Sequence, residues 1–541
     1  MTPSGHTDPF ARDHLPPRDL WPDFVLPEGS VFDYPERLNA AAALLDGAAD
    51  AGWTDRPLVL SDGPAWTYGD LRRRASQIAH ALRDDLGLVP GNRVLLHGPN
   101  TPELAACWFA IGLAGGIVVA TMPLLRAFEL GYTCEKAQIR LALCDAACAA
   151  AAEGVEGGPL ERIVRFNAFP EGDDGARDEL AALADGKPTT VDAVDTAADD
   201  VALIAFTSGT TGTAKATMHF HRDVLAICDA FPRTLGLTAD DVVTGTPPLA
   251  FTFGLGGELL FPMRVGASTA FIPKPSVPSL LDTLETHRAT VCFTSPTAYR
   301  AMLGHLEGRD LSALRLCVSA GEPLPAPTFH AWRDATGLEI VDGIGSTEML
   351  HIFLSSPPGQ GRPGATGKPI PGYDAKVVGK DGREVGPGTV GLLAVRGPTG
   401  CRYLDDPARQ RQYVKDGWNY PGDAYLVDDD GFFHYQSRAD DMIITSGYNV
   451  SGLQVESALL LHPAVAECGV IGVPDAERGH LVKAFVAVHE GVEAGEALAT
   501  ELQDFVKAQI APYKYPRAVQ FLDALPRTQT GKLQRFRLRD L

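Results

Sequence analysis

The sequence reads as an α/β protein: a large N-terminal domain with parallel or mixed sheets and helices, then a small α+β C-terminal domain. Two observations carry this reading. Short apolar runs, "RVLLHG" (93–98), "VALIAFTSG" (201–209), "STAFIP" (268–273), "ATVCFTSP" (289–296), "LRLCVSAGE" (314–322) and "LEIVDGIG" (338–345), run out into Gly, Ser, Thr or Pro, and helix-length segments separate several of them. That alternation is the α/β pattern, in which loops at strand C-termini are available to ligands. The pattern then restarts at "SRADDM" (437–442), where the domain boundary is expected.

Taken in chain order, Leu104–Leu125 carries no charge over a length able to cross a bilayer, yet it holds Gly112, Gly115, Gly116 and Pro123. It reads as a buried helix running into a parallel strand, not as a membrane span. Between Phe166 and Asp200 the chain turns Asp-, Ala- and Gly-rich, a surface excursion without chemistry. In the C-terminal hundred residues Ser451 and Gln454 resemble a capping box opening the helix "GLQVESALLLH", and strands follow in "ECGVIGV" and "KAFVAV". Leu498, Leu502, Phe505, Gln509 and Ile510 then recur at helical spacing before the strand "AVQFLD".

With 541 residues, 45% hydrophobic and 21% charged, the chain can bury more than one core. A formal charge of −21 argues against a nucleic-acid or anionic-membrane partner, because neutralising phosphates needs a basic face. Any bound phosphate must be met by local basic groups. Nine cysteines without a CxxC pair point to neither a zinc site nor a disulfide framework; they read as small core residues, and a reducing cytoplasm fits. The N-terminus, "MTPSGHTDPFARDHLPP", has no basic segment followed by an apolar run, so no signal peptide is read there.

Four stretches carry chemistry. "TSGTTGTAK" (207–215) directly follows the strand "VALIAF": glycines let the backbone approach a ligand, Ser and Thr hydroxyls donate to phosphate oxygens, and Lys215 supplies charge. It looks like a loop that wraps a polyphosphate, and it is not a Walker loop, since GxxxxGK[ST] is absent. "DGIGSTEML" (342–350) ends another strand; Glu348 is a hard oxygen ligand suited to Mg2+, and Thr347 can meet a phosphate. In "YPGDAYLVDDDGFFHYQSRADDM" (420–442), Asp423 and Arg438 flank an expected hairpin, where a carboxylate can hold a ribose diol and an arginine can support the sugar or its phosphate. Last, "PRTQTGKLQRFRLRDL" (526–541) closes a basic segment: from Ala511 onward Lys514, Arg517, Arg527, Lys532, Arg535, Arg537 and Arg539 face only Asp523 and Asp540. This local reversal of charge fits contact with a polyanion, with Lys532 as the reactive-site cation. His219 and His221 have no third ligand in view and read as loop or strand residues.

Together, in this order, the four resemble the signatures of the adenylate-forming superfamily of acyl-CoA synthetases, carrier-loading adenylation domains and luciferases, over roughly Trp66 to the C-terminus. The resemblance implies a large domain over 1–439 that binds ATP and the acid, and a small mobile domain over 440–541 that carries the catalytic lysine. It also implies two steps: a carboxylate attacks the α-phosphate of ATP to give acyl-AMP and pyrophosphate, then a thiol displaces AMP. Carried over, Thr207, Ser208, Gly209, Thr210, Thr211, Gly212 and Lys215 would hold the β- and γ-phosphates. Thr347 would meet the α-phosphate, Glu348 would bind Mg2+, and Asp423 with Arg438 would hold the ribose. "SAGEPL" (319–324), with Gly321, Glu322 and Pro323, and the strand end Asp342, Gly343 and Ile344 would border the adenine. Ile344 stands where the family's usual Tyr stacks on the base. Likewise Pro421 replaces the usual Thr, Ser437 the usual Gly, and Ala214 and Ala216 the common Pro and Gly. Lys532 would bridge the carboxylate and the α-phosphate in the first step only; Asp440 matches the hinge, and Ser446 and Gly447 the pantetheine tunnel.

By the resemblance "PPLAFTFGLGG" (247–257) lies at the family's acyl-site position, and there Ala250, Phe251, Phe253 and Gly254 suggest a short, flat, apolar slot that would fit a planar ring. Gly345 and His351 would join it, His351 closing the ring pocket or bonding an ortho substituent. "DGIGSTEMLHIFLS" resembles the benzoate-CoA ligase branch, and "PPLAFTFGLGG" with "SGYNVSG" looks closest to 2-aminobenzoate-CoA ligases. The expected activity is an AMP-forming ligase joining an aromatic carboxylate to coenzyme A, with ATP and Mg2+. The alternative is an aryl-acid adenylating enzyme that loads a separate carrier protein, none being attached. A homodimer is compatible with the sequence.

Overall fold

The computed structural model describes residues 2–61, 63–166, 178–207, 214–438, 441–445, 448–475, 478–527 and 533–541. Two parallel-cored sheets organise most of the chain. The first has six strands in the order Arg162–Phe166, Leu141–Asp145, Arg93–His97, Ile117–Thr121, Val201–Thr207 and Lys215–Phe220, parallel until the last antiparallel pair. The second has nine, its parallel centre formed by Ile340–Gly345, Leu316–Ser319, Val291–Thr294, Val242–Gly245, Ser268–Ala270 and Pro57–Leu60, with antiparallel strands at both edges. Parallel neighbours bring their C-terminal ends to one edge, so loops distant in sequence meet there.

The uncharged stretch from Leu104 supplies most of the helix Pro102–Leu113, whose Thr101 cap accepts from the Leu104 N–H at 3.2 Å. Gly115, at φ +76°, then turns the chain into the strand Ile117–Thr121. This is the helix-into-strand unit read from the sequence, and among the described residues no helix is long and apolar enough to cross a membrane. All nine cysteines are free thiols and seven are buried, as small core residues should be. Of the Asp- and Ala-rich excursion, residues 167–177 lie outside the described residues, and Glu179–Ala184 forms a short helix.

A third sheet is antiparallel and includes the hairpin Asp423–Val427 with Phe433–Arg438. A fourth sheet belongs to the C-terminal segment and joins Ile443–Thr445, Tyr448–Val450, Val465–Asp475, Gly479–Val488 and Ala518–Phe521. Two local expectations in this segment are corrected. The helix Gly452–Leu459 has no capping box: the Ser451 hydroxyl donates to the Gln436 carbonyl, and Gln454 reaches the Gln436 side chain at 3.4 Å. A tertiary partner on the preceding hairpin takes the hydroxyl that a local cap would have used. In the helix Glu496–Gln509 the buried stripe is Leu498, Leu502 and Val506, while Phe505 sits half-buried against the His462 ring. Steps of four residues keep one face, and Phe505 falls one position off it.

Candidate active site

Thr207 and Lys215 are register partners in the antiparallel pair that ends the six-stranded sheet, so both ends of the expected phosphate loop are held side by side. The Tyr132 hydroxyl donates to the Ala214 carbonyl at 3.0 Å and pins the returning arm. Ser208, Gly209, Thr210, Thr211 and Gly212 lie outside the described residues, as do Asp440, Ser446, Gly447 and Lys532.

The two stretches expected to border the adenine come together as neighbours in the nine-stranded sheet. Ser319 and Asp342 are register partners on adjacent parallel strands, and the Ser319 hydroxyl donates to Asp342 Oδ1 at 2.8 Å. Burial pushes the Asp342 carboxyl up to about 7, against the pull of that bond and of the Gly343 N–H. Gly321, at φ +89°, turns the chain after Ser319 and leads to Glu322, which accepts from Thr297 Oγ1 at 2.6 Å. Pro323 follows, and a cavity lined by Leu324, Asp342, Ser356 and Thr366 opens beside it. Gly343 and Ile344 pair with Ser355 and Leu354 on the returning strand.

The end of Ile340–Gly345 turns sharply. Ser346 caps the turn Thr347–Met349 through the Met349 N–H, and Leu350 closes it at φ +68°, a strained value for a non-glycine residue. His219 Nε2 lies 2.8 Å from the Thr347 carbonyl. Burial lowers the pKa of this imidazole, so the neutral ring donates its Nε2 proton to that carbonyl. Beneath it Asp223 is fully buried and ion-paired to Arg402; burial alone would raise this carboxyl, but the Arg402 charge, with Arg222 beside it, holds it below the usual range. Glu348 is buried and accepts from the Tyr403 hydroxyl at 2.7 Å. Burial and the adjacent Glu348 charge raise the Tyr403 pKa far above normal, which keeps the hydroxyl a donor. Tyr403 reaches this place because Met218 and Leu404 donate backbone N–H groups to Arg402 and Ala216, laying residues 402–404 along the strand Lys215–Phe220.

Asp423 and Arg438 face each other across the hairpin, with Arg438 Nη1 3.1 Å from Asp423 Oδ1. The aromatic stretch forms a wall around His351: ring centroids lie 5.8 Å away for Phe253, 4.6 Å for Phe261 and 5.5 Å for Phe231, and Phe293 packs edge-on to Phe253 at 5.6 Å. His351 is 2% exposed, and burial lowers its pKa to about 3. A Cβ on Gly256 would lie 2.5 Å from the imidazole, and one on Gly345 would lie 2.6 Å from the His351 carbonyl, so only glycine permits this packing. His351 therefore sits between the Glu348 turn and the strand Ile352–Ser355, as a wall residue. Phe251 precedes the short helix Thr252–Gly254, which carries Phe253 into this wall, while Ala250 borders a small cavity with Leu96, Trp108 and Leu259.

The basic C-terminal run is used differently from expectation. Arg527 pairs with Glu467 at 2.8 Å and lies 3.6 Å from Glu322, Arg535 pairs with Glu456 at 2.7 Å, and Arg539 pairs with Asp441 at 2.5 Å. Three of the cations thus meet protein carboxylates. Arg527 ties the C-terminal segment to the stretch that carries Glu322. Tyr403 and Arg402 carry no local sign in the sequence; of the two histidines expected in loop or strand, His219 lies in the strand Lys215–Phe220, whereas His221 opens the helix His221–Leu235. The available hint for His219 was a polar residue inside an otherwise apolar strand.

Comparisons with known proteins agree with this geometry. The model of the AMP-binding enzyme family matches residues 47–402, and that of the AMP-binding enzyme C-terminal domain matches 454–532. The chain belongs to this family and has the adenylate-forming enzyme fold. Its relatives lie in the benzoate-CoA ligase branch: it is 37% identical over 519 residues to a benzoate–CoA ligase of Thauera aromatica, covering 93% of this chain and 96% of that one. The crystal structure of the anthranilate CoA ligase AuaEII in complex with anthranoyl-AMP superposes with a TM-score of 0.89 at 34% identity, covering 94% of this chain and 98% of that one. A benzoate CoA ligase from Burkholderia xenovorans LB400 gives 0.83 at 33% identity, with 93% and 100% covered.

Proposed function

We propose that this protein is an AMP-forming ligase that joins an aromatic carboxylic acid of the benzoate or 2-aminobenzoate type to coenzyme A through an acyl-adenylate. The observation that carries the reading is the packing of His351 among Phe231, Phe253 and Phe261 only three residues after Glu348, which sets a ring-sized apolar wall beside the nucleotide turn. The printed names of the relatives, a benzoate–CoA ligase and an anthranilate CoA ligase, support it.

In the first step a carboxylate oxygen of the acid attacks the α-phosphorus of ATP and pyrophosphate leaves. Thr207, Lys215 and the loop between them hold the leaving phosphates, Thr347 meets the α-phosphate, and Asp423 with Arg438 holds the ribose. Lys532 neutralises the charge that builds as the new P–O bond forms. Glu348 fits Mg2+, because this ion takes one carboxylate and completes its shell with waters and substrate phosphates; when bound it neutralises charge on those phosphates. In the second step the thiol of coenzyme A, reaching the site past Ser446 and Gly447 after the small domain swings about Asp440, attacks the acyl carbon and releases AMP. The small domain spans 440–541 and the large one 1–439.

The tautomer at His351 favours an ortho-amino acid. Its Nε2 faces the Phe253 carbonyl at 3.4 Å, so the neutral ring carries its proton there and presents Nδ1 as an acceptor, with no partner among the described residues. An amino group on the ring of 2-aminobenzoate supplies the matching donor. Mass-spectrometric detection of acyl-CoA from purified protein, ATP, Mg2+ and CoA tests the reading against benzoate, 2-aminobenzoate, 2-hydroxybenzoate, cinnamate, hexanoate and acetate. Dominance of 2-aminobenzoyl-CoA supports both acid and tautomer; a preference for hexanoate or acetate refutes the aromatic slot.

A further inference from the structure

Asn100 follows the strand Arg93–His97 of the six-stranded sheet, yet its side chain serves the other sheet's loop. Its Oδ1 accepts from the Leu249 N–H at 2.7 Å and its Nδ2 donates to the Pro247 carbonyl at 3.0 Å. One buried amide thus uses both ends on two residues of the same turn. The turn needs such help for a local reason: Pro247 and Pro248 have no N–H, so Leu249 carries its first backbone donor. Leu249 itself is buried in the main apolar core, and a small cavity bordered by Leu96, Trp108, Leu249, Ala250 and Leu259 adjoins the turn.

Glu258 completes the arrangement. It is fully buried on the π-helical turn Leu255–Leu260, a deviation that recurs at functional sites. Burial drives its carboxyl pKa well above normal, against the pull of the Asn100 amide. Its Oε2 lies 3.5 Å from Asn100 Nδ2, and its Oε1 has no partner among the described residues. An acceptor oxygen at that place favours the orientation in which the Asn100 N–H2 faces Pro247 and its carbonyl faces Leu249.

We propose that Asn100, oriented by Glu258, is a positioning residue for the aromatic acid: it clamps the Pro247–Ala250 turn that delivers Ala250 and Phe251 to the slot. This rests on the aromatic-acid reading of the site. Neither residue touches ATP groups in this assignment, so the effect of losing the clamp falls on the acid and not on the nucleotide.

The test is steady-state kinetics with benzoate and 2-aminobenzoate, each variant's thermal midpoint being recorded. Asn100→Ala is expected to raise KM for the acid about tenfold with KM for ATP within about twofold, the scale set by losing its buried hydrogen bonds to Leu249 and Pro247. Glu258→Gln keeps a carbonyl acceptor on a side chain of the same shape and is expected to leave both constants within about twofold of wild type, whereas Glu258→Met raises the acid KM. An unchanged acid KM in Asn100→Ala, or equal rises for acid and ATP, overturns the proposal. Should Asn100→Ala not fold, the Glu258 pair decides: equal behaviour of Gln and Met overturns it, and a rise for Met alone supports it. A wild-type protein that turns over hexanoate but no aromatic acid refutes the proposed function, and this clamp for an aromatic acid falls with it; normal aromatic turnover with an indifferent Asn100 refutes the clamp alone.

Discussion

Asp423 and Arg438 stand directly opposite each other on neighbouring antiparallel strands, joined at 3.1 Å between Oδ1 and Nη1, and Arg438 also donates to the Pro421 carbonyl at 2.9 Å. The pair places a buried carboxylate at the start of one strand and braces it from the end of the next.

If that carboxylate holds the ribose diol, Asp423→Ala removes two charge-assisted hydrogen bonds. The expected result is a fall of roughly 100-fold in kcat/KM for ATP with a much smaller change in KM for the aromatic acid. Initial-rate kinetics with each substrate varied in turn provide the check; parallel losses for both substrates would place Asp423 in the scaffold instead.

Tyr403 bonds one Glu348 oxygen and so fixes the carboxylate plane. Tyr403→Phe should raise the Mg2+ concentration for half-maximal adenylation several-fold, within the roughly 10- to 100-fold range of lost outer-shell bonds to metal ligands. Titrating Mg2+ at saturating ATP would show it. An unchanged midpoint would mean that Glu348 needs no help from Tyr403.

In the proposed reaction Lys532 serves the first half-reaction and Gly447 the second. Lys532→Ala is expected to abolish acyl-AMP formation while leaving thioester formation from supplied acyl-AMP largely intact, and Gly447→Leu to do the reverse. Following each half-reaction separately decides the matter, since equal losses in both would sink this division of labour.

Asp342 provides a pH signature. Its folded pKa of about 7 lies above the ordinary carboxylate value, so the folded state binds the proton more tightly than the unfolded state. Its stabilising contribution is complete below the unfolded pKa and is lost as pH rises toward 7. Asparagine carries no such dependence. The stability of Asp342→Asn relative to wild type should therefore grow by about 1–2 kcal/mol between pH 5.5 and pH 8.5. Denaturant unfolding at both values measures this directly, and a constant difference would contradict the raised pKa.

Much of the site was legible because its chemistry is written locally. A run of Gly, Ser and Thr ending on Lys215, an acid after a strand at Glu348, and Asp423 and Arg438 at the two ends of a hairpin each announce themselves within one segment. The aromatic wall was legible in part: Phe253 and His351 stood out, while Phe231 and Phe261 come from segments with no motif. The Ser451 capping box was misread for the same reason that such signals work at all, since the local pattern is silent about a better partner on Gln436.

By itself, then, the sequence determined the α/β class, the order of the four motifs and the kind of chemistry their residue types can perform, because periodicity and side-chain chemistry act over short spans. Only the tertiary structure decided what holds those groups in place. Tyr403 meets Glu348 across 55 positions, His219 meets Thr347 across 128, and Asn100 meets Leu249 across 149. Such contacts depend on which strand ends the parallel sheets bring to a common edge, and no local pattern records that.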